Sequence, residues 1–162
     1  MAVLERISRV LNQIMIWLAG VLLTIMILLT CANILSRIVW VPIKGTFELM
    51  GYFGAVITAF ALGYTQMEKG HIAVDILVKS FSKRTRNILN SINYSVCLVF
   101  FMITGWQIVK YGIILIKTGE ITETLRIPYY PFVFGVAFGC GILSLVLLVD
   151  LLKLFAVRKE DG

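Results

Sequence analysis

Histidine is almost missing from this 162-residue chain, with His71 the single example. A membrane anchor that holds haem b commonly draws its axial ligands from two histidines on its spans. One histidine outside the apolar runs excludes that, and it excludes a histidine-based metal centre as well. Cysteine is nearly as scarce. Cys31, Cys97 and Cys140 each sit alone inside an apolar run, and no CxxC spacing occurs. Neither a disulfide framework, a zinc site nor a pair of redox thiols can be assembled from them. Charge is the largest deficit: 15% of the residues are charged, where a soluble domain carries about a quarter. Hydrophobic residues make up 59% and the mean hydropathy is +0.93. That much apolar surface has to face something other than water, and lipid is the solvent that suits it. The three prolines, Pro42, Pro128 and Pro131, all stand at the edges of apolar runs.

Four apolar stretches are long enough for a ~30 Å hydrocarbon core, which takes ~20 helical residues. They cover about residues 14–38, 47–66, 88–116 and 129–155. The expected fold class is therefore an all-α membrane protein, with residues 1–162 forming a single membrane domain of four transmembrane helices. The third stretch is long for one crossing, so its Lys110 end should protrude or the helix should tilt. Trp17, Trp40, Tyr52, Trp106, Tyr111, Tyr129 and Tyr130 lie towards the ends, as an aromatic belt requires. Arg6 and Arg9 before the first run imitate a secretory signal, but the run is too long for a signal core and three more follow.

The net charge of +6 would point to nucleic acid in a soluble protein. Here most Lys and Arg lie outside the apolar runs, where they set topology and touch anionic lipid; no nucleic-acid partner is expected. Ten of the 15 fall in the N-terminal tail, the second loop and the C-terminal end, and five in the first and third loops. The positive-inside bias then places both termini in the cytoplasm and Lys44 and Glu120 on the outer side.

The second loop carries a pattern of its own. Ala73, Val74, Leu77, Val78 and Phe81 recur at helical spacing, with Asp75, Lys79 and Lys83 on the remaining side. A short basic amphipathic helix over about residues 73–85 is expected, lying in the cytoplasmic interface or packed on the bundle as a connector. His71, Asp75, Leu77 and Phe81 are its candidate residues.

Ionisable groups inside a span are costly and tend to mark transport paths. None stands in the central part of any span: Arg37, Glu48 and Asp150 all lie near ends. No catalytic constellation and no cofactor site can be built from what remains. The strongest internal pattern concerns packing. Gly51, Ala55, Ala59 and Gly63 recur at every fourth position of the second span, and Gly135 and Gly139 do so in the fourth. Such rows let helices approach closely. They either pack the four helices on each other or receive a partner subunit, and different faces can do both. Asn33 and Arg37 share a helix face at the outer end of the first span. Glu48, just beyond the turn from Pro42 to Gly45, either meets Arg37 or is favoured by the macrodipole at the start of its own helix.

These residues resemble a known family, the small membrane subunit of tripartite ATP-independent periplasmic (TRAP) transporters. The resemblance rests on Asn33-x-x-x-Arg37, Gly45-Thr46-Phe47-Glu48-Leu49 and Ala59-Phe60-Ala61-Leu62-Gly63-Tyr64. It continues through Gly70-His71-Ile72-Ala73-Val74-Asp75 to Gly119 and the run from Thr124 to Pro131. It implies a system of three parts in the bacterial inner membrane and periplasm. A periplasmic substrate-binding protein captures an organic acid, such as a C4-dicarboxylate or sialic acid. A large multi-span carrier subunit moves it inward on a sodium gradient, and the small subunit braces that carrier. Asn33, Arg37, Glu48, Thr124, Arg126 and Pro128 would then form an outer rim against one of these partners. Two other classes fit the composition: a self-sufficient small homo-oligomeric transporter, and an anchor or assembly subunit of a different membrane complex.

Overall fold

The structure, a computed structural model, describes residues 2–39, 41–68 and 83–160. Its helices are α1 (Ala2–Val39), α2 (Thr46–Met67), α3 (Lys83–Thr118) and α4 (Tyr130–Glu160). Each contains a stretch long and apolar enough to cross a membrane. At about 1.5 Å per residue, α2 is matched to a ~30 Å hydrocarbon core, whereas α1, α3 and α4 must project beyond it or tilt. The amphipathic stretch expected at 73–85, with Asp75, Leu77 and Phe81, lies outside the described residues except for 83–85, which open α3. His71 also lies outside them.

Local chemistry sets the ends of the helices. Gly45 has a left-handed backbone (φ +76°), and its carbonyl accepts the Leu49 N–H at 3.1 Å, starting α2. Gly119 (φ +66°) closes α3 by donating its N–H to the Leu115 carbonyl at 3.0 Å, the left-handed cap that glycine makes without strain. Pro131 falls in the first turn of α4, where a missing N–H costs nothing. Inside the helices, Thr24, Thr30, Thr58, Thr65, Ser95 and Ser144 each donate a hydroxyl to the carbonyl four residues back. Their polar groups are thereby satisfied without water.

The helix at the centre is the last one. α4 packs most extensively on α3 and next on α2; α1 leans on α2 and meets α4 over a short stretch. Half of the apolar window of α4 is buried, against 11% in α1 and in α3. Ala137, Cys140, Leu143, Val146 and Leu147 of α4 are buried together with Val56 and Ala59 of α2, Met15 and Ala19 of α1, and Leu115 of α3. The other faces of α1 and α3 show Trp17, Leu28, Val96, Phe100 and Trp106 to the outside. A surface of that kind in water would drive association; in a bilayer it meets acyl chains or another helix.

Candidate functional site

The motifs at the end away from the termini converge on one structure, a clasp that ties three helices together. It starts with Asn33 on α1, whose Oδ1 accepts the Ile43 N–H at 2.8 Å and so holds the turn into α2. Within that turn the buried Thr46 donates its hydroxyl to the Ile43 carbonyl at 2.9 Å. Two residues further, Glu48 reaches across to the loop between α3 and α4. Its Oε1 accepts the Thr124 N–H at 2.7 Å and its Oε2 the Leu125 N–H at 3.2 Å. A carboxylate bridging two backbone amides makes charge-assisted hydrogen bonds, stronger than neutral ones.

The loop is shaped to present those amides. Ile121 and Pro128 form an antiparallel bridge, and the Thr122 N–H donates to the Ile127 carbonyl at 2.9 Å. The Arg126 N–H returns to the Thr122 carbonyl at 3.1 Å, with Arg126 itself in the left-handed region (φ 54°). The tip, Glu123 to Leu125, is thus turned towards α2. The Leu125 side chain seats on Gly45, occupying the space where any β-carbon at that position would stand. Behind the clasp, Tyr52 stacks on Tyr129 and on Phe132 with centroids 5.8 and 5.2 Å apart. Tyr129 in turn donates its hydroxyl to Glu120 at 2.5 Å.

The expected rim residues therefore divide. Asn33, Glu48, Thr124 and Pro128 are engaged within the chain, three through hydrogen bonds and Pro128 through the bridge. Arg37 and Arg126 are exposed and form no ion pair among the described residues, where Lys153–Glu5 is the one found. An Arg37–Glu48 pair is not formed; the Glu48 carboxylate is directed instead at the backbone amides of the loop. Its place in the first turn of α2 still benefits from the helix dipole. Glu48→Gln should speed hydrogen exchange at the Thr124 and Leu125 amides, Arg37→Gln should not, and the double variant should equal the sum. Coupling between the two substitutions in exchange mass spectrometry of residues 120–128 would contradict this geometry.

The small-residue rows divide as well. Ala59 and Gly63 are buried. A β-carbon built on Gly139 would stand 2.7 Å from the Ala59 carbonyl oxygen and 2.8 Å from its Cβ, so α2 and α4 touch backbone to backbone there. Gly63 lies under the Asn12 side chain and beside Ile142, and Gly135 faces Val56 at ordinary contact distance. The other half of the row is open: nothing stands within 4 Å of Gly51, and Ala55 is exposed. One row thus serves the inside of the bundle at one end and leaves a bare face at the other.

Two residues of these contacts were not named from the sequence, Thr122 in the clasp and Asn12 under Gly63; Thr46 and Leu125 entered only as members of the family-like runs. Asn12, an amide beside Gln13 before an apolar run, and Thr122, a hydroxyl in a polar loop, were the available signals. Among the described residues no group of three or more His, Cys, Asp or Glu could hold a metal ion.

The sequence matches the family model described as tripartite ATP-independent periplasmic transporters, DctQ component, over residues 26–157. No curated protein and no solved structure gives a significant match. The matched stretch begins within α1, takes in the whole clasp and both small-residue rows, and ends near the close of α4. With most of its length matched and four helices of crossing length, the chain belongs to the DctQ family and is a small, multi-pass inner-membrane component of a tripartite ATP-independent periplasmic transporter.

Proposed function

We propose that this subunit braces the large carrier subunit of its transporter and takes no part in binding sodium or substrate. Its partners are then the large multi-span carrier and, at the outer side, the periplasmic substrate-binding protein. The cargo is an organic acid of the carboxylate class, moved inward on a sodium gradient. The observation that carries the reading is the divided row on α2. Ala59 and Gly63 are used inside the bundle, while Gly51 and Ala55 offer a bare face on the same helix. A row of small residues open to the outside admits a second helix at close range, where dispersion contact and not apolar transfer drives association. The absence of ionisable residues at mid-span favours a scaffold over a path for ions.

The test is to fill the open half. Gly51→Leu or Ala55→Leu should leave the fold of the chain intact and reduce the amount of carrier that co-purifies with it. Transport in vesicles should fall in proportion to assembled complex, with sodium dependence and apparent substrate affinity unchanged in whatever complex remains. A substitution in this chain that shifts sodium response at normal complex yield would defeat the bracing role. Transport by this chain alone would favour a self-sufficient oligomer instead. Orientation is part of the same reading: both termini are cytoplasmic, and Arg37 and Arg126 face the periplasmic side. A cysteine at Glu120, in a background without Cys31, Cys97 and Cys140, should react with an impermeant reagent in intact spheroplasts. Reaction only after permeabilisation reverses the topology.

A further inference from the structure

At the end that carries both termini, α1, α2 and α4 part to leave a polar cleft of about 310 Å³. Its lining includes Arg9, Asn12, Glu68, Asp150 and the Lys153–Glu5 pair, whose nitrogen and oxygen are 3.4 Å apart. A cleft of that size is within the range of small-ligand sites. The chemistry of the lining is unbalanced in a specific way. Asn12 has no exposed surface; its Nδ2 donates to the Ser8 carbonyl at 2.9 Å, and its Oδ1, without a donor among the described residues, is packed on Gly63 and not turned into the cleft. Asp150 accepts a hydrogen bond from Gln66 Nε2 at 3.2 Å. Glu68 is exposed at the rim, and so is Arg9, which has no ion pair among the described residues. The carboxylates of Asp150 and Glu68 therefore stand beside the guanidinium of Arg9, which has no anion among the described residues.

A second feature adjoins the first. An apolar groove of about 100 Å³, between Leu4 of α1 and Val149 and Leu152 of α4, opens beside the same Glu5–Lys153 pair. We propose that cleft and groove together bind one phospholipid with a zwitterionic, primary-ammonium headgroup, of the phosphatidylethanolamine type. Its ammonium supplies N–H donors to Asp150 and Glu68. Its phosphate meets Arg9 and Lys153, and the first methylenes of one acyl chain lie in the Leu4–Leu152 groove. A purely anionic headgroup would face three carboxylates, and a simple cation would face Arg9 and Lys153. The zwitterion answers both charges, and the groove requires that it carry a chain. This assignment does not depend on the bracing role, and its test uses no transport measurement.

The experiment is native mass spectrometry of the full-length protein in mild detergent, titrated with phosphatidylethanolamine, phosphatidylcholine and phosphatidylglycerol of matched chains. Phosphatidylethanolamine should be retained about tenfold better than either other lipid, the scale of a charge-assisted hydrogen bond gained or lost. Phosphatidylcholine is the sharp control, because its quaternary ammonium has no N–H. Glu68→Gln and Arg9→Gln alter exposed side chains, so the fold should survive, as checked by an unchanged Tm. Each should reduce retention of phosphatidylethanolamine towards that of the other lipids, whereas Glu120→Gln at the opposite end should not. Equal retention of all three lipids, preference for phosphatidylglycerol, no retention at all, or undiminished retention in both variants would each overturn the assignment.

Discussion

Gly139→Leu should open the contact between α2 and α4 and lower the thermal stability of the detergent-solubilised protein. The reason is the partner atom. The nearest atoms to a new β-carbon are the carbonyl carbon and oxygen of Ala59, at 2.8 and 2.7 Å, which cannot rotate aside as the end of a side chain can. The helices must separate, and overpacking of this kind costs roughly 1–3 kcal/mol. Because α4 is the helix on which α2 and α3 both pack, the loss spreads to the whole bundle. Gly139→Ala should act in the same direction with a smaller effect. Gly141→Leu is the control, since nothing stands within 4 Å of that position. If Gly139→Leu and Gly141→Leu melted at the same temperature, the backbone contact would not exist. The same pair separates folding from assembly: Gly139 acts inside this chain, while Gly51 and Ala55 should act only on complex yield.

The second large effect is expected at Gly45. An L-residue there is strained at φ +76°, by about 1–2 kcal/mol in the left-handed region. Its side chain also needs the space that Leu125 occupies. Gly45→Ala should therefore release the tip of the loop from α2, taking the Thr124 and Leu125 amides away from Glu48. From the backbone strain alone, exchange at those amides should rise about tenfold. Adding Leu125→Ala should recover part of the loss, because it removes the steric conflict and leaves the dihedral strain. A double variant no better than Gly45→Ala would assign the whole effect to the backbone. Unchanged exchange in Gly45→Ala would mean that the loop is not held by this contact.

Much of the outer clasp could be anticipated as a set of residues and little of it as a set of bonds. Asn33, Glu48 and Thr124 stand out as polar residues at span ends, and Gly45 as a glycine before a helix. Position along the chain does not say that Glu48 chooses amides 76 and 77 residues away over the nearby Arg37. That choice needs the left-handed Arg126 and the Ile121–Pro128 bridge, which turn two N–H groups towards α2. Two amide donors from one loop then meet both carboxylate oxygens, while Arg37 stays exposed on the neighbouring helix.

The sequence by itself determined that four helices are long and apolar enough to cross a membrane, and which loops carry the excess of positive charge. These are local quantities. A run of about 20 apolar residues partitions into lipid whatever its neighbours are, and Pro42, Gly45, Gly119 and Pro131 act on their own turns. Only the tertiary structure decided that α4 is the central helix, that α1 and α3 show most of their surface outward, and that Ala59 and Gly63 are internal while Gly51 and Ala55 are open. The physical reason is the solvent. In water an apolar face is an inner face, and periodicity reveals it. In a bilayer an acyl chain is as apolar as leucine, so lipid-facing and protein-facing side chains look alike, and shape alone selects which surfaces meet.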